Sequence, residues 1–237
     1  NSRGAEYLAE SATPVFGYDL LPEVHGWVAV NALIGQAGVL ARAYAQAFPD
    51  ALGTLPDDLA VLFPTFEGMR PTGSIEEYSA QLSAYVRASV ELRTLVFLHG
   101  PETKAAAFDL DSKFAEAGLG HLVASEFRNF AHGRYQMMLP ISDQVGVVAF
   151  NSRREEPVAK ASVAAVPSSI PASRIALAGA EYGPAAEQIS GLLAELIFVG
   201  AVGEIRGLHP GWGADKTFGD LLYELDLATV FEIPPAH

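Results

Sequence analysis

Cysteine is missing altogether from these 237 residues, which excludes disulfides and thiolate metal sites and fits a reducing, cytoplasmic setting. Basic residues are few. Only 15 Lys and Arg stand against 28 Asp and Glu, a formal net charge of −13, and the cations are scattered along the chain. Nucleic acid needs clustered cations for its phosphates, so no nucleic-acid partner is expected, and the acidity reads as solubility. No apolar run approaches the eighteen or more residues of a membrane span; the tract 192–202 is interrupted by Glu195 and by glycine, so no membrane partner is expected. The opening Asn1-Ser-Arg-Gly lacks the basic-then-apolar pattern of a signal peptide. Neither a Walker A loop nor a G-x-G-x-x-G turn occurs, and His25, His99, His121 and His209 show no H-E-x-x-H spacing. Neither a cofactor nor a metal is expected. Internal repeats and low-complexity tracts are absent as well.

What remains is a chain that is 50% hydrophobic and 18% charged, enough to bury a substantial core. Its character changes over residues 49–74, where prolines and glycines concentrate, which reads as a long connection between two units. Before it, residues 27–48 are rich in Ala, Leu and Val without proline, as in a buried helix. After it, Ser74-Ile-Glu-Glu77 has the form of a capping box opening a helix to about Leu92.

From there short apolar runs alternate with helical segments. Strands are expected at 95–98, 122–125, 145–150 and 174–178, and helices at 105–117, 154–166 and 185–202, with a helical turn at 128–132. The run Val145–Phe150 is continuous and β-branched, as in a strand covered on both faces. Strand and helix in alternation imply parallel βαβ units with right-handed crossovers, hence an α/β fold: a doubly wound parallel sheet flanked by helices.

Chemistry concentrates in three pieces: Phe97-Leu-His-Gly-Pro-Glu102, Lys113-Phe-Ala-Glu116 and Phe130-Ala-His-Gly133. A carboxylate, an ammonium and an imidazole are what proton transfer between adjacent carbons of a sugar requires. Glu116 lies one turn beyond Lys113, so both can project from one helix face. His132 titrates near neutral pH and is suited to opening a sugar ring. Each piece also has a plainer reading. Lys113 and Glu116 can be a solvated surface pair, and His132 before Gly133 can be a helix C-terminal histidine with a left-handed cap. Gly100-Pro101 can be a phosphate-facing helix start or a tight βα turn.

The Lys113, Glu116, His132, Gly133 set resembles the sugar isomerase (SIS) domain family, which includes the isomerase half of glucosamine-6-phosphate synthase and related phosphosugar isomerases and deglycases. That family pairs two SIS subdomains. The resemblance implies that residues 1–60 are the remnant of a first subdomain plus linker, and that residues 61–237 are a second. It implies a cofactor-free aldose–ketose isomerase or deglycase in which Glu116 is the base, His132 opens the ring and Lys113 stabilises the enediolate. Ser125, Arg128, Asn129, Arg134, Gly100 and Gly26 would hold the hydroxyls or the phosphate of a small phosphosugar. A homodimer with shared sites is implied too. Two departures count toward the alternative, a non-catalytic phosphosugar sensor or assembly subunit. The family's S-x-S-G-x-T phosphate loop would lie upstream of Asn1, and Ala29, Val30 and Asn31 replace its Ser, Thr and Lys after Gly26.

Overall fold

The computed structural model describes residues 31–66 and 74–210. Its centre is a five-stranded sheet in the order β1-β5-β4-β2-β3, built from β1 (Thr65–Phe66), β2 (Thr94–His99), β3 (His121–Glu126), β4 (Val145–Asn151) and β5 (Ala172–Ala176). The last four are parallel. Thr94 of β2 lies between His121 of β3 and Val145 of β4, and Val147 of β4 lies beside Ala172 of β5. All seven residues of β4 are buried, as its continuous apolar run predicts. The helices are α1 (Asn31–Ala47), α2 (Pro49–Leu52), α3 (Ile75–Val90), α4 (Lys104–Glu116), α5 (Phe127–Ala131), α6 (Glu156–Ala165) and α7 (Pro184–Arg206).

The sheet is covered on both sides because its side chains alternate. Leu95 and Phe97 of β2 and Val148 and Phe150 of β4 pack with α3, α4 and α7. Val96 and Leu98, with Val147 and Ala149, face the other way against α5 and Ala159 of α6. The chain runs outward from β2 to β3, then back across β2 to β4 and β5. That reversal places the switch point between β2 and β4, where doubly wound sheets open a crevice at their strand carboxyl ends.

Two expectations are corrected. The sheet is not wholly parallel, since β1 is an antiparallel edge strand pairing Thr65 with Ala176 and Phe66 with Ile175. It lies inside the Pro- and Gly-rich connection, and two residues after Pro64 carry no periodicity to read. Phe66 is nevertheless buried against the rings of Tyr78 and Tyr85, at centroid distances of 5.8 and 5.1 Å. The helix read at 27–48 forms over its described part, but it is not a buried one. Ile34, Ala37 and Ala41 pack on α7, whereas Val39, Leu40, Tyr44 and Phe48 are exposed. A composition rich in apolar residues does not reveal that only one side of a helix has a neighbour.

The capping box forms as read: Ser74 Oγ accepts from Glu77 N, and the Glu77 carboxylate accepts from Ser74 N. At the other end of the domain, α7 has 23 residues and by length and composition is long and apolar enough to cross a bilayer. Here it is mostly buried, packed against α1, α3 and α4. Its last residue, Arg206, reaches back to donate to the carbonyls of Val90 (2.9 Å), Leu92 (2.8 Å) and Leu119. Burial lowers the Arg206 pKa. Gly120, at φ 116°, is required there, because a side chain would meet the Arg206 guanidinium.

Candidate functional site

Two polar loops leave the carboxyl ends of β2 and β4, and each is set by the strand before it. After His99 the chain turns through Gly100-Pro101-Glu102-Thr103 into α4, with Gly100 N donating to Thr103 Oγ1 (2.9 Å). After Asn151 it runs Ser152-Arg153-Arg154-Glu155 into α6. The Glu155 carboxylate joins the loops. It accepts from Glu102 N (2.7 Å), Ser152 N (3.0 Å) and Thr103 Oγ1 (3.1 Å). Glu102 is held in turn by Ser152 Oγ and by Arg154 (2.9 Å). The Gln188 side chain of α7 donates to the Glu102 carbonyl at 2.7 Å, and Arg153 N donates to Glu187 at 3.0 Å. Glu187 has a raised pKa, from burial first; the Arg153 N–H counteracts this, and the charges of Glu102 and Glu155 add to it.

Beside these loops a crevice of about 710 Å³ opens at the ends of β4 and β5. Its lining includes Phe63, Asn151, Arg153, Glu156, Glu181 and Tyr182. Asn151 is already committed, donating to Ser152 O (2.8 Å) and accepting from Arg174 (2.9 Å). The Glu156 pKa is lowered, chiefly by its hydrogen bond with Lys160, with burial opposing and the charges of Lys160, Arg174 and Arg153 assisting. Among the described residues no hydrogen bond or ion pair holds the exposed Arg153 guanidinium. It is a free cation on a polar-walled crevice.

No family model matches the sequence, and no curated protein matches it. One solved structure it is similar to is the C-terminal domain of glucosamine-fructose-6-phosphate aminotransferase from Francisella tularensis. The two are 12% identical with a TM-score of 0.36, over 58% of this chain and 42% of that one. This chain therefore spans under half the length of that neighbour, and a likeness of this degree carries no argument about activity.

The residues singled out from the sequence fall in three places. Gly100, Ser125, Arg128, Asn129, His132 and Arg134 all lie at the carboxyl edge of the sheet, following β2 and β3. Gly100 and Ser125 are buried, and Arg128, Asn129, His132 and Arg134 are exposed. Glu116 ends α4, the crossover that carries the chain back to the amino edge, where β3 begins. Within one chain, Glu116 and His132 are thus separated by the length of β3, roughly 20 Å for six residues. Lys113 is only 5% exposed and does not pair with Glu116. It turns to Asp109, with Nζ 3.3 Å from Oδ1 and 3.2 Å from Oδ2, while Glu116 accepts from Ser112 Oγ at 3.3 Å. Gly26 lies outside the described residues. Sequence reasoning missed Ser152, Arg153, Glu155 and Glu187. The polar run Asn151-Ser-Arg-Arg-Glu-Glu156 directly after a wholly apolar strand was the available signal.

Proposed function

We propose that this chain is a SIS-like phosphosugar-binding domain that senses its ligand, or presents it within an assembly, rather than isomerising it. The observation that carries the reading is the free Arg153 guanidinium on the roughly 710 Å³ crevice at the strand carboxyl ends. A guanidinium offers the planar fork that suits phosphate oxygens, and the volume falls in the usual range for small-molecule sites. Glu156 and Glu181 on the same wall are acceptors for sugar hydroxyls. The commitment of Lys113 to Asp109, and the distance between Glu116 and His132 in one chain, favour binding over catalysis. Isomerisation is the second reading. It is favoured by the exposure of both Glu116 and His132, which leaves them available to complete a site shared between two copies.

Calorimetric titration with glucose 6-phosphate, fructose 6-phosphate and unphosphorylated glucose tests the first reading. Both phosphates bind, glucose binds far more weakly, and Arg153→Ala costs about tenfold or more for the phosphates, as loss of a charge-assisted contact implies. Equal binding of glucose and its phosphate would remove the reading. Deuterium incorporation into fructose 6-phosphate separates the two readings. The sensor gives none, whereas exchange that Glu116→Gln abolishes establishes the isomerase.

A further inference from the structure

We propose that Glu155 is a built-in anion filling the phosphate seat at the β2–β4 switch point, so that phosphate is kept out of that seat and directed to Arg153. The inference rests on the phosphosugar reading only in taking this edge of the sheet as the ligand edge.

The seat is made from two loops. Glu102 N lies just ahead of α4 and Ser152 N just ahead of α6, and both point at one carboxylate, with the Thr103 hydroxyl as a third donor. Backbone N–H groups ahead of a 13-residue helix form the arrangement that holds phosphate oxygens in doubly wound folds, where the peptide dipoles favour negative charge. Here the occupant is visible. Glu155 is 6% exposed, and both its oxygens are engaged.

The surroundings are shaped to this occupant. A side chain at Gly100 would run into the Glu155 carboxyl group, so the turn after β2 is cut to fit it. A free phosphate would have to displace Glu155 and would then face Glu102 and Glu187. Arg154 is already spent on Glu102, at 2.9 Å. Like charges in so small a space oppose a dianion there. Arg153, one residue beyond the seat and without an ion pair among the described residues, is the cation at this edge that also lines the crevice.

Titration of the protein with inorganic phosphate, followed by amide and arginine NMR shifts at constant ionic strength, tests this. In the wild-type chain the amides of Glu102, Thr103 and Ser152 stay still while the Arg153 side chain responds. In Glu155→Ala those three amides respond as well, and the melting temperature rises by about 2–4 °C at saturating phosphate relative to chloride. Glu155→Gln keeps the seat filled and stays unresponsive at Glu102 and Ser152. Wild-type shifts at Glu102 and Ser152 would overturn the inference, as would a folded Glu155→Ala that gains no phosphate response. If Glu155→Ala does not fold, the wild-type titration decides. Failure of the phosphosugar reading looks different: Arg153 stays unmoved by hexose phosphate, whatever the amides at 102 and 152 do.

Discussion

Glu195 stands in the middle of α7 with 0% exposure, and among the described residues neither of its oxygens meets a donor. It faces Asp109 and Lys113 of α4. Burial is the first cause pushing its pKa from an ordinary 4.5 up to about 10, the hydrogen bond and charge of Asp109 push it further, and Lys113 opposes both. Asp109 is itself an acceptor, so the two carboxyl groups can face each other only by sharing a proton. Between those two pKa values the folded chain keeps a proton that the unfolded chain has released, and stability therefore falls as pH rises. At pH 7, about 2.5 units above the unfolded value, the cost is roughly 3 kcal/mol at about 1.4 kcal/mol per unit. Glu195→Gln keeps the shape, cannot ionise, and supplies an N–H for Asp109. We expect it to stabilise the protein by about 2–3 kcal/mol at pH 7, with the gain vanishing near pH 4.5 and growing by about 1.4 kcal/mol per unit above it. Urea unfolding of both proteins at pH 5.5, 7 and 8.5 measures this directly. A difference independent of pH, or a loss that deepens as pH rises, would refute the shared proton.

Arg206→Lys removes a fork that serves three backbone carbonyls and leaves them in partly buried surroundings. It should destabilise the fold by about 2–3 kcal/mol in urea unfolding, and a loss below about 0.5 kcal/mol would show that solvent replaces the fork. Ser74→Ala removes half of the capping box of α3 and should cost about 1 kcal/mol, with faster hydrogen exchange at the Glu77 amide. Unchanged exchange at Glu77 would mean that the cap does not hold the first turn.

The strands β2 to β5 and helices α3, α4 and α7 were legible because each pairs a period with a local signal: the Ser74 cap, the Pro101 turn, the unbroken apolar run of β4. The antiparallel β1 was not, since two residues have no pattern and their strand state comes from pairing with β5. That Lys113 pairs with Asp109 instead of Glu116 was hidden for a different reason. On a helix, Lys113 reaches Asp109 one turn back as readily as Glu116 one turn on. The choice is made by α7, which lays Glu195 against the Asp109 side and buries the ammonium there, a fact about a segment some eighty residues away. The paired loops at the ends of β2 and β4 were half legible. Gly100 and Glu102 were read as a turn and helix start, but their tie to Glu155 spans 53 residues of sequence and exists only once β2 and β4 are neighbours.

The Arg206 fork also bears on the order in which the polypeptide can settle during translation. Its carbonyl partners Val90, Leu92 and Leu119 emerge from the ribosome between 87 and 116 residues earlier than the guanidinium that engages them. Until that arginine arrives, the end of α3 and the turn into β3 wait with open acceptors. A chain halted between residues 177 and 205 would therefore contain all five described strands without their fastening.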